Sequence, residues 1–147
     1  MEEKKVLVVG ATGSIGEAIV REYAKNGYFV YIHYYQNRQK AQSLLEEIRN
    51  GALILFDLTK KEAIRTALED IEVDVLVNSA GITRDKLLFF MEDEEWEDVI
   101  GTNLNALFYL IKTVARNMIR NKRGSIVNVA SVSGIVGNPG QANYAAS

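Results

Sequence analysis

Short apolar runs and helically spaced apolar stripes alternate along this chain. Val6-Leu7-Val8-Val9 is a continuous apolar run closed by Gly10, the pattern of a strand covered on both faces. Ile15, Ala18, Ile19 and Tyr23 then recur at helical spacing, and Asn26-Gly27 closes that helix. Phe29–His33 predicts a second strand; Ala41, Leu44, Leu45 and Ile48 predict a second helix, ended by Asn50-Gly51. Ala52–Phe56 is a third strand, and Ile64, Ala67, Leu68 and Ile71 mark a short third helix. Val73–Val77 predicts a fourth strand, terminating at Asn78-Ser79-Ala80-Gly81. One long helix is expected over Asp93–Arg120, with Trp96, Val99, Ile100, Leu107, Ile111, Val114 and Met118 as its apolar stripe. Gly124 then breaks the chain into a fifth strand, Ser125–Ala130.

Five short apolar strands separated by amphipathic helices argue for an α/β fold. The expected form is a doubly wound, Rossmann-like parallel sheet, with residues 1–147 in a single dinucleotide-binding domain. At 48% hydrophobic and 24% charged residues, composition is that of a globular protein and excludes disorder, collagen and coiled coil. Lys+Arg 17 against Asp+Glu 19 gives −2, so nothing in the charge points to nucleic acid or an anionic membrane. The absence of Cys excludes a disulfide framework, a thiol nucleophile and Cys-based metal sites. The single His33 excludes a multi-histidine cluster, and no metal site is expected. The opening Met-Glu-Glu-Lys-Lys and the short first apolar run have no signal-peptide character. No apolar stretch nears the roughly 18 residues of a membrane span, so a cytoplasmic location is expected.

Gly10-Ala11-Thr12-Gly13-Ser14-Ile15-Gly16 joins the first strand to the first helix. Glycines there permit a tight turn, close approach of backbone to a pyrophosphate, and packing of helix on strand. The following helix start offers N–H groups and the positive end of a dipole. A strand–helix turn that simply favours small residues is the plainer reading. The next strand ends in His33-Tyr34-Tyr35-Gln36-Asn37-Arg38, with no acid until Glu46. A carboxylate there would bind the adenosine ribose and repel a 2′-phosphate, so its absence favours NADP(H), with NADH the weaker candidate. Arg38 either meets that phosphate or only caps the second helix or meets solvent. His33, alone in a strand, is expected to be structural.

Downstream, Asn78-Ser79-Ala80-Gly81 ends the fourth strand, Ser131 follows the fifth, and Tyr144 lies within Gly140-Gln141-Ala142-Asn143-Tyr144. With the glycine loop, these motifs resemble the short-chain dehydrogenase/reductase family over essentially the whole chain. Gly81-Ile82-Thr83-Arg84-Asp85-Lys86-Leu87-Leu88 and the Gly140–Tyr144 run look most like its 3-oxoacyl-acyl-carrier-protein reductases. The resemblance implies NADPH-dependent reduction of a 3-oxoacyl thioester in fatty-acid synthesis, with acyl-carrier protein as a partner and a homotetramer as the assembly. It further implies that Ser131 holds the substrate carbonyl oxygen, Tyr144 donates the proton, and Asn103 anchors a relay water. The implied cofactor set begins with Gly10, Thr12, Gly13, Ser14, Ile15 and Gly16. It continues with Tyr35 and Arg38, then Asp57 and Leu58 against the adenine. Asn78, Ala80 and Gly81 complete it near the ribose, with Ile82 extending that wall.

The family's usual loop is Thr-Gly-x-x-x-Gly-x-Gly; here Val9 replaces the Thr and Ser14 the middle Gly. Gly13 stands where the acyl reductases often carry an Arg for the 2′-phosphate, which weakens the NADP inference. Position 79 is Ser where Asn is common. A complete member runs to about 240–250 residues, a size one domain reaches, and its tyrosine is followed four residues on by a lysine. Here that position is 148, so the chain is expected to be the N-terminal portion of such a reductase. The alternatives are a poorly active nucleotide-binding fragment and a reductase of another carbonyl. Arg116, Arg120, Lys122 and Arg123 form a candidate patch for an acidic carrier, or a solvated helix C-terminus where cations are favoured anyway.

Overall fold

A computed structural model describes residues 3–147. Five strands, β1 (Lys5–Val9), β2 (Phe29–Tyr34), β3 (Gly51–Leu55), β4 (Val75–Asn78) and β5 (Ser125–Asn128), form one sheet in the order β3-β2-β1-β4-β5. Every pairing is parallel, with Val6 opposite Val30 on one side and opposite Val75 on the other. The helices α1 (Ser14–Lys25), α2 (Arg38–Ile48) and α3 (Lys61–Leu68) form successive crossovers, and α4 (Asp93–Ile100) and α5 (Ala106–Asn121) form the last. Two short helices, α6 (Ser133–Val136) and α7 (Ala142–Ala146), follow β5. This is the doubly wound parallel sheet that the hydrophobic pattern predicts.

Side chains alternate across a strand, and β1 divides accordingly between two cores. Leu7 and Val9 pack with Ile64, Leu68, Leu110 and Val114 under α3 and α5. Val6 and Val8 pack with Val20, Ala41 and Leu44 under α1 and α2. All four β1 residues from Val6 to Val9 are fully buried, which explains why the run has no polar interruption. Burial of each such side chain contributes about 1.5–3 kcal/mol. No helix among the described residues is long and apolar enough to cross a membrane.

The expected single helix over Asp93–Arg120 is interrupted. Gly101–Asn105 is a π-helical turn, closed by a bond from the Ala106 N–H to the Gly101 C=O. The buried stripe becomes Val99, Ala106, Leu110, Val114 and Met118; Leu107 and Ile111 are only partly buried, and Trp96 is exposed. The fourth strand also begins two residues later than predicted, and just before it the Asp74 carboxylate accepts from the Lys5 N–H at 2.9 Å.

Candidate active site

The sheet reverses its winding between β1 and β4, and the carboxyl ends of strands at such a switch point open onto the ligand crevice of doubly wound folds. Four segments meet there: the loop after β1, Asn78–Gly81 after β4, Ser131 after β5, and α7 packed against α4 and α6.

Gly10 has φ +76°, and a Cβ on it would lie 2.6 Å from the Ala80 nitrogen. A Cβ on Gly16 would lie 2.2 Å from the Gly10 carbonyl oxygen. Gly13 is different: it sits at φ −79°, ψ 162° as the N-cap of α1 and brings no side chain to accept from the first-turn N–H groups. Thr12 is half-buried, whereas Ser14 and Ile15 open the helix in exposed positions. The result is a bare, uncapped helix N-terminus at the floor of the crevice, the chemistry that a diphosphate requires. Glu17, the acid in that first turn, is neutralised by ion pairs to Lys40 and Arg21. The Lys40 hydrogen bond in particular holds its carboxyl below the usual range. The residues present therefore fit a dinucleotide.

Beside the cradle, Tyr35 is exposed beyond β2, and Arg38 opens α2. Asn37, not Arg38, caps that helix, its Oδ1 accepting from the Lys40 N–H at 3.2 Å. Asp57 folds over its own loop, Oδ1 accepting from the Thr59 N–H and hydroxyl, each at 2.8 Å. Partial burial raises its pKa, but hydrogen bonds from Thr59 and from the Tyr35 hydroxyl outweigh that and hold it low. Leu58, next along, rests on the core beneath α3 and α5.

Across the crevice, Asn78 is buried and its Oδ1 accepts from the Ala80 N–H at 3.4 Å. Ser79 donates both its N–H (3.0 Å) and its hydroxyl (2.9 Å) to the Val9 carbonyl, so a small donor suits this position. Gly81 is exposed and borders Asn103, whose Oδ1 would lie 3.6 Å from a Cβ there.

Asn103 projects from the π turn and grips one residue at both backbone groups. Its Oδ1 accepts from the Ile82 N–H at 2.9 Å, and its Nδ2 donates to the Ile82 C=O at 3.0 Å. The second Nδ2 proton goes to the Ser147 hydroxyl at 3.0 Å, which donates to the Tyr144 C=O at 2.9 Å. Tyr144 is half-buried on α7. Ser131 Oγ accepts from the Ser133 N–H at 3.2 Å, leaving its own proton to donate outward. The Ser133 hydroxyl instead engages Gln141 Oε1 at 3.1 Å. Of these two neighbouring serines, Ser131 is the one with a donor in reserve.

Three polar residues near the site escaped the sequence reading. Asn143 is fully buried and donates to the Arg84 and Glu95 carbonyls, both at 3.0 Å, while accepting from the Tyr144 N–H at 2.8 Å. Gln141 also reaches Asp85 at 3.0 Å, and Ser147 links Asn103 to Tyr144. Their position in the Gly140–Ser147 segment flanking Tyr144 was the available signal. The candidate basic patch lies elsewhere: Lys122 and Arg123 precede β5, at the opposite end of the sheet. There Arg120 pairs with Glu72 at 2.6 Å and Arg123 with Asp74 at 3.0 Å, so much of its charge is compensated.

A parallel sheet with a glycine cradle at its β1–α1 turn, beside the β1/β4 switch point, defines a doubly wound fold of the Rossmann type. The short chain dehydrogenase family model matches residues 4–147, and the chain belongs to that family. Among curated proteins it is similar to the 3-oxoacyl-acyl-carrier-protein reductases FabG. It is 44% identical to that of Escherichia coli K12 over 151 residues and 42% identical to that of Haemophilus influenzae over 152, both across 99% of this chain. Identity to the Staphylococcus epidermidis protein is 40% over 152 residues, 97% of this chain. The chain spans 62% of the length of each of these relatives.

Proposed function

We propose that this chain carries the cofactor site and the proton donor of an NADPH-dependent ketoreductase of fatty-acid synthesis. The reaction is reduction of a 3-oxoacyl thioester, on acyl-carrier protein or coenzyme A, to the 3-hydroxyacyl thioester. The observation that carries this reading is the hydrogen-bonded line Ile82–Asn103–Ser147–Tyr144 running beside the glycine cradle. The relatives' identity as 3-oxoacyl-acyl-carrier-protein reductases supports the substrate class.

When bound, NADPH supplies the hydride. The first-turn amides of α1 would hold its diphosphate, Asp57 and Leu58 its adenine, and Asn78, Ala80 and Gly81 its ribose. Ser131 keeps its proton and hydrogen-bonds the substrate carbonyl oxygen, where negative charge develops and a preorganised donor lowers the barrier most. Tyr144 gives its phenolic proton to that oxygen as the carbon is reduced. Asn103 acts by clamping: both Nδ2 protons are engaged, so it holds the β4 extension against α7 and keeps Tyr144 in register with the cradle. Arg38 and the lack of a carboxylate between His33 and Arg38 support NADPH over NADH. Exposed Leu104, Phe108 and Ile119 on the outer side of the π turn and α5 support assembly with further copies, as a homotetramer. A cytoplasmic location agrees with this chemistry.

Titration with NADPH and NADH, followed by NADPH oxidation with an acetoacetyl thioester, tests the reading. Tighter NADPH binding and thioester-dependent oxidation are expected. Equal or reversed cofactor affinity overturns the cofactor choice, and oxidation with an unrelated ketone but not the thioester overturns the substrate class.

A further inference from the structure

His33 lies near the end of β2, one strand away from the glycine loop, and the residue is only 3% exposed. Its Nε2 stands 3.0 Å from the Phe56 carbonyl oxygen. A carbonyl only accepts, so Nε2 carries the hydrogen and the neutral ring presents a lone pair at Nδ1. That lone pair accepts from the Gly10 N–H at 3.2 Å. The ring also lies against Phe56, centroids 4.1 Å apart and planes tilted 35°. Gly10 is the residue on which the cradle turns: its C=O takes the Gly13 N–H at 3.1 Å, and its Cα faces Ala80 too closely for any side chain. Its C=O is thus engaged within the loop, and its N–H is held by His33.

We propose that His33 is a positioning residue for the diphosphate-binding loop, fixing the Gly10 amide through Nδ1 while Phe56 holds the ring in its tautomer. This role goes beyond the structural filler that a lone strand histidine suggests, and it rests on the loop being the cofactor's diphosphate site. Burial holds the ring neutral at physiological pH, with a pKa lowered to about 4, so the acceptor is available there.

The test is binding of NADPH and of adenosine 2′-monophosphate, which lacks the diphosphate, to the chain and two variants. His33→Leu should weaken NADPH at least tenfold and leave the monophosphate within about threefold. His33→Asn, whose Oδ1 stands near the place of Nδ1, should recover most of the NADPH affinity. Equal loss of both ligands in the Leu variant, or no loss of NADPH, overturns the positioning role. Should His33→Leu not fold, the Asn variant and the wild-type ring decide: nitrogen NMR must find the proton on Nε2, and a proton on Nδ1 overturns the proposal. Failure of the wild type to bind NADPH at all overturns the site assignment itself and this role with it.

Discussion

The amide of Asn103 pairs with both backbone groups of Ile82, at 2.9 and 3.0 Å, as a neighbouring strand would. The π turn at Gly101–Asn105 brings that side chain to the end of β4. Replacing it with Leu leaves the Ile82 N–H, its C=O and the Ser147 hydroxyl without this partner. Three partly buried bonds at about 1 kcal/mol each predict that Asn103→Leu lowers unfolding free energy by about 2–3 kcal/mol. Urea denaturation checks this; a loss below about 0.5 kcal/mol would mean that water replaces the clamp at no cost.

Tyr144 is held through its main chain by Asn143 and Ser147, so its phenolic oxygen contributes little to its placement. Tyr144→Phe should therefore keep NADPH affinity within about threefold while reducing thioester-dependent NADPH oxidation at least a hundredfold. Fluorescence titration and an absorbance assay on the same preparation read both. Retained turnover in the Phe variant would remove Tyr144 as the proton donor.

The strands were legible because each is built round a short apolar run, such as Val6–Val9 in β1 or Val75–Val77 in β4. The cradle was legible because Gly10 and Gly16 sit where backbone atoms leave no room for a Cβ, and no other residue type satisfies that. The π turn was not. Gly-Thr-Asn-Leu-Asn is compatible with an ordinary helix, and no spacing of apolar residues marks the wider turn. Asn143 and His33 were opaque for another reason. Their partners lie 23 to 59 residues away in the chain, so the sequence displays the polar side chain without the carbonyl or amide it satisfies.

The loop glycines divide into two kinds, and substitution should separate them. Gly10→Ala puts a Cβ into Ala80 and forces a side chain into φ +76°, costing at least roughly 2 kcal/mol and abolishing NADPH binding. Gly13→Ala meets only the Gly10 carbonyl at 3.4 Å, in an ordinary extended conformation. As the α1 N-cap, where Ala is poorer than Gly, it should lose no more than about 1 kcal/mol. Thermal melts of the two variants make the comparison, and equal destabilisation would refute the distinction.

His33 also gives the fold a defined acid sensitivity. Burial lowers its pKa from 6.5 to about 4, against which the Phe56 hydrogen bond is the smaller influence. As pH falls through 6.5 the unfolded chain takes up a proton that the folded chain refuses until about 4. Unfolding therefore binds protons across that window, and stability rises with pH there. The contribution is complete above about pH 6.5 and is lost progressively down to about 4, reaching about 3 kcal/mol in total and about 2 kcal/mol by pH 5. His33→Asn removes the titrating ring while retaining an acceptor for Gly10. The stability difference between wild type and this variant should accordingly shrink, or change sign, by about 2 kcal/mol between pH 7 and pH 5. Parallel stability profiles for the two proteins over that range would show that the folded ring takes up its proton as readily as the unfolded one, and that the buried neutral tautomer is wrong.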